Sequence, residues 1–549
     1  MKNRIICTLA SICFMGSFFS QKMEPQPKIM VGIVIDQMCY DYLYRFQHLY
    51  TTGGFNRLLT KGTNCRNAQY NYVPTYTAPG HASIYTGTTP SNHGIVGNDW
   101  YVRDTKKMVT SVSDERYQTV GSATGGQASP MNLLTYTITD QLKLASPQSK
   151  VISISIKDRG AILPGGHLSN GSYWYDYTTG DFVTSTFYKE KLPDWVSRMN
   201  AKFDPAKDLR SWKLFLPEST YQMKDESPFE VVLTGKTTAT FPYDFPAMIA
   251  AGSSANSLFT ISPQANELLT DLAISALEQE NLGQDQFTDF LCISYSTPDI
   301  AGHAFGPYSR ELEDMYARLD RELQRLFASL ETRYGKDGFV VFLTADHAVV
   351  PVPEMLVKMN LPGGYFFMQD RLQVLRDDFI MKYNADLLEY EANQNIYLNL
   401  KKIDSLRLDI DEVARFAAEE LRKWPEVKTV LTREQLHSGS GSTDYWGELL
   451  RNGYDPSRSG EVIFLLQPGY LAKDLDEPKA HQGTSHGSAF NYDTHVPLLW
   501  YGKGIPQGLS LYEPIQITDI SATLVHMLNL QRPGSMTGTP ILPLLQPKK

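Results

Sequence analysis

Three stretches far apart in the chain share one pattern: an apolar, β-branched run of strand length that stops just short of an aspartate. Residues 28–35 (KIMVGIVI) stop at Asp36. Residues 290–295 (FLCISY) lead through Ser296, Thr297 and Pro298 to Asp299, and residues 339–343 (FVVFL) lead through Thr344 and Ala345 to Asp346. A run that is apolar on consecutive rather than alternate positions belongs to a strand buried on both faces, and so to a parallel sheet covered by helices on each side. That makes the chain α/β. In open sheets of this class ligands gather outside the carboxyl ends of the strands, where three carboxylates can converge on one crevice.

Histidines accompany two of the three. His303 follows Asp299 by four residues, a spacing that faces one way on a helical turn, and His347 adjoins Asp346. Asp and His without Cys form a donor set suited to zinc in a catalytic site. The chain offers a hydroxyl to match. In the loop 76–83 (YTAPGHAS) an apolar approach runs into Pro79-Gly80, and a helix can start at Ala82. Thr77 is thereby expected just before a helix N-terminus, where free N–H groups and the macrodipole favour an anion such as a phosphoryl or sulfuryl group. A threonine hydroxyl needs a base or a metal to become a nucleophile, and the Asp and His residues supply the latter. A fourth apolar run, 150–156 (KVISISI), leads into Lys157-Asp158-Arg159. In an extended tail Lys157 and Arg159 share a face, a pair that can hold the oxygens of a phosphate dianion.

The chain is 549 residues long and 42% hydrophobic, enough for one large α/β domain with insertions or for two or three domains. Its formal charge of −9 lacks the basic excess of a nucleic-acid binder, and it carries no basic run. Lys2 and Arg4 precede the apolar run 5–19, and polar residues come after it, which reads as a secretory signal peptide over residues 1–20 and predicts export to the periplasm or beyond. The apolar run is short for a membrane span, and no other stretch is long enough. Cys7 and Cys13 leave with the signal, so Cys39, Cys65 and Cys292 remain and allow one bridge at most within the chain. There is no CxxC.

In chain order, residues 131–144 show a helical apolar pattern. Residues 161–262 lose the strand–helix rhythm and become rich in Tyr, Trp, Gly, Asp and Pro, with 172–177 and 241–243 expected as irregular hairpins of an inserted cap. Helices are expected at 266–280 and 309–334, the latter amphipathic through Met315, Leu319, Leu323 and Leu326. A second insertion at about 350–455 holds a helix at 411–424, a strand at 427–431 and a Gly/Ser-rich loop at 438–443. A strand at 461–466 and a helix at 518–528 close the chain.

Taken together, Asp36, TAPGHAS, HGIVGNDW around Asn98, IKDRG, TPDIAGH, TADH, GTSHG and YDTHVPL resemble the alkaline phosphatase superfamily, most closely its PafA-type secreted phosphate monoesterases. These motifs extend from near residue 28 to near 540 in family order. The resemblance implies an α/β/α sandwich with a central, mainly parallel sheet and inserted caps. It also implies two zinc ions, one on Asp299, His303 and His486, the other on Asp36, Asp346, His347 and the Thr77 oxygen. His486 is chosen over His481 and His495 on the resemblance alone. The implied activity is hydrolysis of small-molecule phosphate monoesters through a phosphothreonine on Thr77, with Asn98, Lys157 and Arg159 on the non-bridging oxygens. Nothing in the motifs calls for a second chain, and a monomer is compatible with them.

The nearest rival is a nucleotide pyrophosphatase/phosphodiesterase, which shares the metal ligands and often the threonine. Its substrate carries one negative charge fewer, so the cations at 157 and 159 favour the monoester. Arylsulfatases build their nucleophile from Cys or Ser in a Cys/Ser-x-Pro-x-Arg motif, absent at 77–81. A secreted metal-binding protein without turnover is the third reading, and its sign would be a missing ligand or nucleophile.

Overall fold

A computed structural model describes residues 26–439, 444–477 and 481–545. The expected signal peptide and the tip of the Gly/Ser-rich loop, 440–443, lie outside the described residues. The frame is a ten-stranded sheet. Its strands are β1 (Ile29–Ile35), β2 (Thr63–Cys65), β3 (Thr119–Val120), β4 (Val151–Ser155), β5 (Gly171–Tyr175), β6 (Phe182–Ser185), β7 (Asp289–Tyr295), β8 (Phe339–Thr344), β9 (Leu498–Gly502) and β10 (Leu509–Leu511), in the order β10-β2-β9-β8-β1-β7-β4-β5-β6-β3.

The middle five, β8-β1-β7-β4-β5, are parallel, while β9 and β6 run antiparallel to their neighbours. Every residue of β1, β7, β4 and β8 is buried, as their unbroken apolar runs require. The register pairs Ile35 with Tyr295, Val34 with Thr344 and Ser294 with Ser155. The strands therefore end level, and the residues just beyond their carboxyl ends meet at one edge.

Two groups of helices flank the sheet. One contains α1 (Thr77–Thr86), α2 (Asp158–Gly165) and the C-terminal Asp519–Met527; the other contains the helix Pro263–Gln279 and α4 (Arg310–Tyr334). Between strand and long helix, α3 (Thr297–Phe305) opens directly from β7.

Several elements differ from the sequence-based expectation. The helix expected over 131–144 forms only as Ile138–Ala145, started by a capping box between Thr137 and Asp140. Met131, Leu134 and Tyr136, which gave the earlier residues their apolar spacing, are exposed. The aromatic run at 172–177 is mostly β5, a buried strand parallel to β4 that turns back as β6, so it extends the main sheet rather than the cap. Tyr243 makes only a bridge to Trp212, within a cluster of Trp212, Phe241, Tyr243, Phe245 and Phe305 rings. The second insertion builds an antiparallel sheet with its own core around Phe366, Leu375, Phe379, Val413 and Phe464. Its sheet also takes the strand Val462–Leu466, so the unit runs past 455. Cys39, Cys65 and Cys292 are free thiols.

The first five residues of α4 fasten the segment 212–243 to that helix through buried carboxylates. Asp314 accepts from Trp212 Nε1 (2.7 Å), Phe215 N (2.7 Å) and Tyr221 Oη (2.5 Å), and Glu313 accepts from the backbone of Gln222 and Met223. Carboxylates are favoured at a helix N-terminus, and each donor left unpaired by their loss would cost about 1–3 kcal/mol. Glu311 accepts from Tyr243 Oη (2.6 Å), but its other oxygen and one oxygen of the buried Glu230 have no hydrogen-bond partner among the described residues.

Burial, and then the Glu311 and Asp225 charges, push Glu230 up to about 10, and burial pushes Glu311 up to about 8. Lys236 spends its ammonium on the Thr240 and Pro242 carbonyls, and Arg310, which offsets part of the rise at Glu311, is taken up by Glu218 and the Met223 carbonyl. A carboxyl whose folded pKa is raised stabilises the fold fully below its unfolded value near 4.5, and that contribution is lost as pH rises through about 8–10. Glu230→Gln should therefore raise Tm more at pH 10 than at pH 6. Equal shifts at both pH values in calorimetry would show that the pair is not protonated in the fold.

Candidate active site

The level strand ends deliver the predicted residues to one edge of the sheet. Asp36 follows β1, Asp299 and His303 lie one turn apart on α3, Asp346 and His347 follow β8, and Lys157 follows β4. His486 arrives on the loop before β9 and holds its place by donating from Nδ1 to Thr75 O (2.8 Å). Two groups result, Asp299 with His303 and His486, and Asp36 with Asp346 and His347, each with ligand atoms within 4.8 Å of one another. The rings of His347 and His486 stack at 3.5 Å, so the groups adjoin.

The donors are set for a metal ion. His303 Nδ1 lies 2.9 Å from Thr484 O and His347 Nδ1 lies 3.0 Å from Ala348 O, as His486 Nδ1 lies near Thr75 O. A carbonyl only accepts, so all three rings carry hydrogen on Nδ1 and turn Nε2 into the site as the atom that would bind a metal ion. Asp36 Oδ1, Asp346 Oδ2 and His347 Nε2 are buried without a hydrogen-bond partner among the described residues, and Asp36 Oδ2 is met by the Lys157 ammonium. Burial lowers His347 to about 3 and raises Asp346 to about 6; Asp36 is also raised, by burial and then by the Asp299 and Asp346 charges. Three buried carboxylates face one ammonium, that of Lys157, and a residual negative charge of this kind is costly unless cations offset it.

Lys157 itself is extended, but the strand-like tail ends there. It is the N-cap of α2, and Arg159 lies inside the first turn of that helix, which the Asp158-Arg159-Gly160 sequence can enter directly because Asp158 favours a helix start. The shared face expected from a strand is thus replaced by a buried Lys157 and a half-buried Arg159 paired with Asp158 at 3.6 Å. Lys157 Nζ lies 2.7 Å from Asp36 Oδ2, 2.5 Å from Asp299 Oδ2 and 3.4 Å from Thr77 Oγ1. Burial alone would lower its pKa, but Asp299 and Asp36 outweigh burial and raise it. Asp299 is raised by burial and then carried well below its usual range by His303 and Lys157.

Thr77 is the first residue of α1 rather than the residue before a helix at Ala82. Pro79 sits in the first turn, where its missing N–H costs nothing, and so does not break the helix. Gly80 is needed because a methyl there would lie 2.3 Å from Asp346 O, so the helix start rests directly on the end of β8. Ala78 N donates to Asn98 Oδ1 (2.8 Å), which leaves the NH₂ end of Asn98 as its donor.

Two residues outside the predicted set are built into the site. His81, fully buried and lowered to about 4 by burial, has Nδ1 2.8 Å from Thr77 O and Nε2 2.8 Å from Ser294 Oγ, tying α1 to β7. Gln37 touches both groups of ligands. A histidine one helical turn after Thr77 was a readable signal; Gln37 had none beyond following Asp36. His481 and His495 lie elsewhere, the first between Glu354 and Asp476, the second stacked on Tyr40.

Residues 30–489 match the family described as type I phosphodiesterase / nucleotide pyrophosphatase. The chain is 39% identical over 535 residues to alkaline phosphatase PafA of Elizabethkingia meningoseptica, with 96% of each chain covered. It is 38% identical over 548 residues to a protein of Myroides odoratus named calcium-transporting ATPase, with 98% of each covered. The crystal structure of wild-type PafA superimposes with a TM-score of 0.89 at 38% identity, over 95% of this chain and all of that one. The chain belongs to the type I phosphodiesterase / nucleotide pyrophosphatase family and, within the alkaline phosphatase superfamily, to its PafA-type branch.

Proposed function

We propose that this protein is a zinc-dependent alkaline phosphatase that hydrolyses phosphate monoesters, of broad specificity, through a phosphothreonine on Thr77. One observation carries the reading: the buried Thr77 hydroxyl, at the first residue of a helix, faces the Lys157 ammonium that lies between the two ligand groups. Zinc held by Asp299, His303 and His486 and by Asp36, Asp346 and His347 supplies Lewis-acid stabilisation of anionic oxygen at neutral pH. Thr77 Oγ attacks phosphorus in line, the P–O bond to Thr77 forms as the ester P–O bond breaks, and the alcohol departs. Water then attacks the same phosphorus from the opposite side and returns Thr77 with free phosphate. Asn98 donates its NH₂ to one non-bridging oxygen, and Lys157 and Arg159 hold others as their charge develops. His81 fixes the Thr77 carbonyl and with it the direction of attack.

Residues 1–20 direct export to the periplasm or the medium. Among the described residues no helix is long and apolar enough to cross a membrane. The segments 161–262, beyond the β5–β6 hairpin, and 350–455 cap the strand ends. The alternative reading, a phosphodiesterase, draws on the family match and on metal ligands and a threonine that such enzymes share.

Phosphate release from an aryl monoester should stop when metal-replete protein is treated with a chelator and return with zinc. Turnover of a matched diester and sulfate should be lower, by at least about tenfold in kcat/KM, a difference of roughly 1.4 kcal/mol in transition-state binding. ATP, suggested by the name of the Myroides relative, should be cleaved as another terminal phosphate. Full activity after exhaustive chelation would end this reading, and a diester preferred over the monoester would replace it with the alternative.

A further inference from the structure

Gln37 sits between the two ligand groups in a conformation that glutamine rarely adopts. Its φ is 67°, in the left-handed region that disfavours side chains other than Gly, Asn and Asp. It is 2% exposed, and it follows Asp36 directly. That backbone twist has a visible use. It aims the Gln37 N–H at Asp346 Oδ1 (3.2 Å) while the side-chain amide turns the other way and donates from Nε2 to Asp299 Oδ1 (2.6 Å).

The carboxylates respond differently. Asp346 Oδ1 also accepts from His347 N (3.1 Å), which leaves Asp346 Oδ2 to face the site. Asp299 has Lys157 on Oδ2, while Oδ1 faces His303 Nε2 (3.2 Å) and His486 Nε2 (3.7 Å). At 2.6 Å the Gln37 amide makes the shortest of the three contacts to Asp299 Oδ1, and it is a donor whatever the state of the two rings. Space is made for it: a methyl on Gly302, between Asp299 and His303 on α3, would lie 1.8 Å from Gln37 Oε1. A strained backbone, a buried amide and a glycine that makes room for it converge on one contact, and strain of this kind persists where surrounding structure enforces it.

We infer that Gln37 is a positioning residue that ties the two ligand groups together, its side-chain amide orienting Asp299 and its backbone N–H orienting Asp346. The inference rests on the zinc reading above. It also makes an asymmetric claim. The backbone N–H survives substitution and the amide does not, so only the Asp299-His303-His486 site should respond.

The test is zinc affinity of the full chain by competition with a chromophoric chelator, with no activity readout needed. In Gln37→Gly, one of two bound zinc ions should be held about 10–100-fold more weakly and the other unchanged, the range seen when a partner of a metal ligand is lost. A merely structural role predicts the opposite sign, since glycine relieves the left-handed strain and should leave both sites intact and the apo protein more heat-stable. Gln37→Asn is the second variant, because asparagine tolerates the same φ but is too short to reach Asp299; it should weaken the same ion. Gly302→Ala should do so as well, and its effect should vanish in the Gln37→Gly background, where no amide is left to displace. Two unchanged affinities in both Gln37 variants, or equal weakening of both ions, would overturn the inference while leaving the zinc reading standing. Wild-type protein that takes up no zinc would remove both.

Discussion

Thr77→Ala should lower turnover of an aryl phosphate by roughly three orders of magnitude or more, the scale on which loss of a nucleophile is felt when the surrounding groups remain. The fold should hardly notice. Thr77 opens α1, where alanine is a good helix residue, and its side-chain oxygen meets Lys157 Nζ at 3.4 Å. Among the described residues none of the six Asp and His side chains hydrogen-bonds that oxygen, and His81 grips the Thr77 carbonyl, which alanine keeps. Zinc content and Tm should therefore match the parent, and Thr77→Ser, which keeps a hydroxyl at the same point, should retain a large part of the rate. Parent-like turnover by the alanine variant would remove Thr77 from the mechanism. A variant that loses its metal along with its activity would instead show that the Thr77 oxygen, which the resemblance places among the ligands, is one the metal requires, and nucleophilicity would need separate proof by trapping the phosphorylated residue.

The sheet edge was the legible part of this molecule. Asp36, Asp299 and Asp346 announce themselves because a doubly buried strand is predominantly apolar, so an aspartate just past its end stands out, and the parallel register then brings the three together. The i, i+4 pair of Asp299 and His303 likewise survives as one turn of α3. The illegible parts depend on exceptions to local rules. Pro79-Gly80 reads as a turn, yet proline is harmless in a first turn and the glycine answers to Asp346 O, a contact made across the fold. Lys157-Asp158-Arg159 reads as the tail of a strand, yet the chain turns into α2 at once. The run through Tyr173, Trp174 and Tyr175 looks like cap, yet its burial makes it β5. His486 obeys no spacing rule; the likeness to PafA-type enzymes singled it out, and a hydrogen bond to Thr75 O places it. Gln37 leaves no trace in sequence because its role lies in a backbone angle.

The burial of the cap fasteners bears on how such a site stays exact over a large insertion. Glu313 and Asp314 belong to the helix that directly follows α3, so the segment 212–223 is anchored on the element next in the chain to Asp299 and His303. The link continues on the other side. Val231 N donates to Ala304 O, Gly483 N to Phe229 O and Thr484 N to His303 O, so a short stretch of cap is threaded between the end of α3 and the loop that carries His486. Motion of the cap would be felt first at the Asp299-His303-His486 group rather than at Asp36, Asp346 and His347, which rest on β1 and β8.

Neutralising the two cations should separate monoester from diester chemistry, and the geometry says to begin with Arg159. Arg159→Ala removes a half-buried guanidinium whose ion pair is with its neighbour Asp158, so little of the fold depends on it. Monoester kcat/KM should fall by about 10–100-fold, the value of one charge-assisted hydrogen bond to a dianion, while a diester, with one charge fewer to hold, should change by less than about threefold. Lys157 is a different experiment. Its ammonium holds Asp36 and Asp299 at 2.7 and 2.5 Å, so Lys157→Ala leaves two buried carboxylates facing each other and alters the environment of both ligand groups as well as of substrate. The double variant should therefore lose more monoester activity than Arg159→Ala alone, and its zinc affinity must be measured beside it, because a change there would explain part of the loss on both substrates. Equal losses on monoester and diester in the Arg159 variant, at unchanged zinc content, would take away the charge argument for a monoesterase and leave the phosphodiesterase reading the better account of this site.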